Sequence, residues 1–180
     1  MCQKGRGYLP HRLLIGLLVL IVTATAHAQV TPIDFQVIHL PRLQRYPEAL
    51  YVAIRSPEAW AALWPDSSKD PNLPPIPKID FKHFILLIAN TGVKPSSGYS
   101  NVFTSVDTLP ASMAGAAPSK KMATLVHIVE IGPGCRPVLT ALMATVAYAL
   151  IPQTTNEIRF TVTKADADCT GPPVNPPFIK

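Results

Sequence analysis

Residues 84–89 read Phe-Ile-Leu-Leu-Ile-Ala, six apolar positions without a break. Six residues are too few for a typical helix. An unbroken apolar run of this length fits a β-strand buried on both faces. Segments of β-type composition follow it at 102–109 and 122–131, and 157–163 alternates most cleanly. There Ile158, Phe160 and Val162 should point inward and Arg159, Thr161 and Thr163 outward. Upstream, 33–40 alternates Phe35, Val37 and His39 against Asp34 and Gln36 and reads as a first strand, with a short second strand at 50–54. Residues 143–151 mix helix-favouring Ala, Leu and Met with β-favouring Thr145, Val146, Tyr148 and Ile151, and are read as a strand.

One helix interrupts this β pattern. Ser56-Pro57-Glu58 supplies an N-cap hydroxyl, a proline at the first helical position and an acid in the first turn. Trp60, Leu63 and Trp64 then share a face, and Pro65 should end the helix. The Trp pair is read as a lid on the core rather than a binding platform. Residues 67–78 form a Pro-rich, extended loop, and 111–121 a long hairpin connection. The expected fold class is α+β: a mostly antiparallel β-sheet, or a small sandwich, with one short N-terminal helix. No βαβ alternation is visible, which argues against a doubly wound nucleotide-binding fold.

Residues 1–28 have the pattern of a secretory signal peptide. Lys4, Arg6 and Arg12 precede the apolar run 13–22, and Ala26-His27-Ala28 gives a small-x-small cleavage site before Gln29. The competing reading is an uncleaved anchor, but ten helical residues span only about 15 Å, about half a bilayer core. No Cys follows the run, so a lipid anchor is not expected. The expected organisation is a signal peptide at 1–28, one exported domain at 29–168 and a Pro-rich tail at 169–180. The localisation is then periplasmic or extracellular, with no stable membrane span after cleavage.

Cleavage lowers the formal charge from +5 to +2, because the segment holds three of the 16 Lys and Arg and none of the 11 Asp and Glu. That balance, with no basic run interleaved with aromatics, excludes an obvious nucleic-acid footprint. Export also leaves Cys135 and Cys169 as an even pair in an oxidising compartment, and a disulfide between them is expected. Two separate thiols are the alternative. No CxxC spacing suggests a metal site, and no cofactor is expected.

Residues 90–100, Asn-Thr-Gly-Val-Lys-Pro-Ser-Ser-Gly-Tyr-Ser, read as a loop after the apolar strand. Lys94, Pro95, Ser96, Ser97 and Tyr99 are its candidate partner-binding residues. The alternative is a structural hairpin with Tyr99 packed inward. Catalytic motifs are not found. An Asp80–His83 pair could be joined on paper to Ser96, Ser97 or Ser100, but spacing does not support such a triad. Asp166 and Asp168 alone are too few oxygen ligands for Ca²⁺.

From about Ile54 to Thr163 the chain resembles the PrcB C-terminal domain family, named for an accessory subunit of a bacterial surface protease complex. The matching pieces are S-P-E-A-W-A-A-L-W (56–64), P-K-I-D-F-K (77–82), the apolar strand, G-V-K-P-S-S-G-Y-S (92–100), Gly-Pro-Gly-Cys (132–135) and the segment through Tyr148 to Pro152. Family members commonly have Gly-Gly-Tyr where this chain has Ser97-Gly98-Tyr99. The resemblance implies an exported, non-catalytic binding or accessory domain of the cell envelope with a protein partner, such as a secreted protease. Two alternatives stand beside it. One is a protease inhibitor acting through the 91–100 loop, similar in that loop to chagasin-like inhibitors. The other is a hydrolase of unassigned type.

Overall fold

The structure is a computed structural model of the chain and describes residues 29–41, 47–64, 74–114, 121–135 and 137–167. The segment expected to be a signal peptide, 1–28, together with Asp168, Cys169 and the rest of the Pro-rich tail, lies outside the described residues. The elements are β1 (Thr31–Pro32), β2 (Gln36–Ile38), β3 (Ala49–Ile54), α1 (Pro57–Leu63), β4 (Phe84–Lys94), β5 (Ser100–Pro110), β6 (Met122–Gly132), β7 (Met143–Pro152) and β8 (Glu157–Asp166). The fold is mostly β, with one short helix and two four-stranded sheets, ordered β1-β5-β6-β8 and β2-β7-β4-β3. No helix among the described residues is long and apolar enough to cross a membrane.

The apolar run explains the layering. On β4, Ile85, Leu87 and Ala89 face the other sheet and join Ala149 and Ile151 of β7 with Phe103, Val106, Val126 and Ile128 of β5 and β6. Leu86 and Ile88 point the opposite way, into a second cluster with Ile54, Trp60, Trp64 and Tyr148. Both faces of β4 are therefore covered, one by a sheet and one by α1.

The helix forms as its local signals predict. The Ser56 side chain accepts a hydrogen bond from Ala59 N at 3.2 Å and Pro57 opens the first turn. Glu58 is held below the usual carboxylate range by its own backbone N–H and by Ser56. Trp60 and Trp64 are both buried, as expected of a lid. Their indole N–H groups donate to Pro77 O at 3.0 Å and Pro74 O at 3.2 Å, so the described end of the Pro-rich segment is pinned beneath the helix.

Three sequence expectations are corrected. The strand expected at 33–40 is strand only at 36–38, as β2, which pairs with β7, while a separate short strand, β1, precedes it and pairs with β5. The chain changes sheet between them, with Ile33 and Phe35 packed on the shared core. The change of sheet also breaks the alternation: Phe35 packs inward, but Val37 and His39 are exposed and Ile38 and Leu40 pack in their place. Secondly, β6 and β8 pair in parallel, from Ala123↔Glu157 to Gly132↔Asp166. The intervening β7 lies in the other sheet, so the chain returns in the original direction. The remaining pairings are antiparallel. Thirdly, the 90–100 loop is mostly strand, since β4 continues to Lys94 and only 95–99 forms the turn.

Candidate functional site

The turn is placed by a bulge in β4. Asn90 pairs with Val146 but Val93 with Ala144, so β4 holds one residue more than β7 over this stretch. One extra residue exchanges the faces of all that follow. Lys94 would otherwise share the helix-facing side with Leu86 and Ile88. The bulge turns it toward the other sheet. Asn90, fully buried, holds the bulge by donating to Glu48 O at 3.0 Å and accepting from Gly92 N at 3.1 Å. Gly92 has φ 75°, and a Cβ there would lie 2.8 Å from Pro47 O, so glycine is required.

Lys94 thus reaches across to Glu130 on β6, with Nζ 2.6 Å from Oε1. The two side chains are 20% and 9% exposed. The ammonium also stands 5.4 Å from the centre of the Tyr99 ring. Tyr51 belongs to the same end of the interlayer: burial and then Glu130 push its phenol pKa up, with Lys94 opposing. Asn101, the register partner of Glu130, donates to Ala89 O at 3.1 Å and Thr145 O at 2.8 Å in the other sheet. Thr145 Oγ1 donates to Tyr99 O at 3.1 Å. Polar side chains therefore clamp the two sheets together where the apolar core ends.

The candidate residues divide accordingly. Lys94 is committed to Glu130. Ser97 is committed to the segment before β7: its N–H donates to Leu139 O and its Oγ accepts from Leu139 N, both at 2.9 Å. Tyr99 is half-buried under Lys94, close to the inward-packed alternative. Pro95 is exposed and Ser96 half-buried. A five-residue turn tied at three points is short for a loop inserted into a protease cleft.

Next to the clamp, Tyr99, Glu130, Gly132, Lys164, Ala165 and Asp166 line a cavity of about 190 Å³. Its charged groups balance, two carboxylates against Lys164 and the paired Lys94. Among the described residues no three His, Cys, Asp or Glu side chains gather as a metal site.

The Asp80–His83 pair exists, with Oδ2 2.7 Å from Nδ1, and it lowers the Asp80 pKa. It precedes β4, however, whereas Ser96, Ser97 and Ser100 follow it. Eleven strand residues at about 3.3 Å each put roughly 35 Å between them, so the triad is not assembled. His127 lies on β6 with Nε2 3.8 Å from Asp107 Oδ2, which also accepts from Ser105 Oγ at 2.8 Å. This arrangement centres on the carboxylate and puts no base on the serine.

The parallel β6–β8 pairing bears on the cysteines. Gly132 is in register with Asp166, and Ala167 N donates to Gly132 O at 3.0 Å. Cys135 and Cys169 each stand three residues beyond that matched pair, although Cys169 is outside the described residues. The segments after β6 and β8 still touch at Gly134, where a Cβ would lie 2.3 Å from Ala167 O. If the two are bridged, the denatured, non-reduced chain from Gln29 should show no free thiol, and Cys135→Ser should lower stability by roughly 3–4 kcal/mol. Two titratable thiols would exclude the bridge.

Comparison with protein-family models, curated proteins and solved structures finds no match to this chain. Sequence reasoning missed Glu130 as the partner of Lys94, and it missed Tyr51 and Asn101. A signal for Glu130 existed: it continues the inward parity of Val126 and Ile128, where a carboxylate needs a counter-charge.

Proposed function

We propose that this chain is an exported, non-catalytic binding domain of the cell envelope, similar to the PrcB C-terminal domain, supporting the assembly or stability of a secreted protease or another surface partner. Its two sheets are read as a small sandwich. The residues carrying the resemblance support this reading because each builds a defining part of the fold. Residues 56–64 form the helical lid, 77–82 lead into β4, 92–100 form the bulge and corner, and 132–135 end β6.

The observation that carries the reading is the corner turn, fixed before any partner arrives. Lys94–Glu130, Ser97–Leu139 and Tyr99–Thr145 tie it at three points, and Pro95 stands exposed at its tip. A surface already ordered loses little entropy on binding. The test is capture of a partner by tagged protein from detergent-solubilised envelope and secreted fractions. Pro95→Glu should weaken capture about tenfold, as loss of a central contact does, while leaving the melting temperature unchanged. Undiminished capture would remove the turn from the interface, and no specific partner would remove the proposed function.

A further inference from the structure

The segment before β7 holds the most exposed large apolar side chains of the described residues. Leu139 is 75% and Leu142 80% exposed, with Val138 at 36%. This patch lies beside the root of the Pro-rich tail. Pro133 and Val138 are neighbours, because both pack on Gly98, where a Cβ would lie 3.1 Å from Pro133 Cβ and 3.0 Å from Val138 Cγ1. The next residue, Gly134, touches Ala167, whose N–H donates to Gly132 O at 3.0 Å. Ala167 is the last described residue, so the chain enters the tail next to Pro133 and the patch.

The tail has the composition and the length to cover it. Residues 168–180 read Asp-Cys-Thr-Gly-Pro-Pro-Val-Asn-Pro-Pro-Phe-Ile-Lys, with no charged side chain between Asp168 and Lys180. Val174, Phe178 and Ile179 are its large apolar side chains. The patch is matched in kind: Arg136 precedes it, and 137–156 holds no Asp, Glu, Lys or Arg. At about 3.1 Å per residue, an extended Pro-rich chain carries Val174 up to about 22 Å and Phe178 up to about 34 Å from Ala167, enough to turn back over a neighbouring segment. The prolines also limit the freedom that the tail loses on docking. A second copy of the chain fits this patch less well. A standard interface covers roughly 800 Å² per partner, which three side chains on one segment do not supply. A tethered segment is already present at an effective concentration of about millimolar and needs far less contact.

We infer that residues 172–179 pack over Val138, Leu139 and Leu142, so that the Pro-rich tail is a strap of this domain and not a free linker. The inference goes beyond the proposed protein partner and does not depend on it. Purified protein alone tests the strap, and capture from cell fractions tests the partner.

The test uses the chain from Gln29 with an apolar photoreactive residue at position 142, irradiated alone in dilute solution, reduced and digested with trypsin. Reduction matters because Cys135 and Cys169 lie in the same two tryptic peptides, 122–159 and 165–180. A cross-link between those peptides within monomeric protein is expected. Phe178→Ser with Ile179→Ser should lower its yield about tenfold. Without the photoreactive residue, the same pair of substitutions should lower the melting temperature by about 4 °C. It should lower it by less than about 1 °C in a chain already carrying Leu139→Ser and Leu142→Ser, where the contact is lost beforehand. Absence of the 165–180 adduct would overturn the inference. So would an adduct formed only between two copies, or two pairs of substitutions whose effects on melting simply add.

Discussion

Lys94→Ala is expected to cost about 3 kcal/mol of stability, because it leaves the Glu130 carboxylate in the interlayer without its counter-charge. In a chain of this size that is a fall of about 6–12 °C in melting temperature. Lys94→Met with Glu130→Met should melt much closer to wild type, since removing both charges removes the desolvation penalty with the attraction. The two single variants and the double variant form a cycle that reads the pair's coupling directly. A Lys94→Ala protein melting within about 2 °C of wild type would mean that solvent screens the pair and the sheets are held by other contacts. The consequence for function is practical. Lys94 looks in the sequence like a cation offered to a partner, yet substituting it perturbs the fold, so lost binding in that variant would not map a surface.

Trp60→Ala should be at least as damaging, at about 3–5 kcal/mol. Trp60 is 2% exposed. Its ring meets Trp64 edge-on at 5.1 Å between centroids and Tyr148 at 6.5 Å. The substitution opens a cavity between α1 and the sheet and leaves Pro77 O without its indole donor. Trp60→Phe keeps most of the packing and loses that hydrogen bond, and should cost about 1–2 kcal/mol. Chemical denaturation of the three proteins checks the order. If Trp60→Ala kept wild-type stability and lost a ligand instead, the Trp pair would be a binding platform and not a lid.

The helix was legible because its signals are local: a Ser cap, a proline at the first position and two Trp one turn apart. β4 was legible at its centre, where an apolar run fits little besides a doubly covered strand. Its far end was not. Asn90-Thr-Gly-Val-Lys-Pro carries turn-forming residues, and only Glu48 O and Pro47, distant in sequence, show that they form a bulge. The clamp was hidden for the same reason, since Lys94 and Glu130 are 36 residues apart. The 143–151 segment, ambiguous by propensity, is a strand because it lies between β2 and β4, where Ala149 and Ile151 fill the shared core. Parallel pairing of β6 with β8 depends on β7 leaving for the other sheet, which no local pattern encodes. Pro95, Ser96, Ser97 and Tyr99 were found as neighbours on one turn, but which of them face solvent was decided by partners elsewhere in the chain.

The most direct measurement is photo-crosslinking in cells expressing the protein, with a photoreactive residue at position 95 and a control at position 82. Both positions are exposed, and they lie at opposite ends of β4. A partner-binding corner turn gives a discrete protein adduct from position 95 and none from position 82. The same adducts from both positions, or none from position 95, would contradict it.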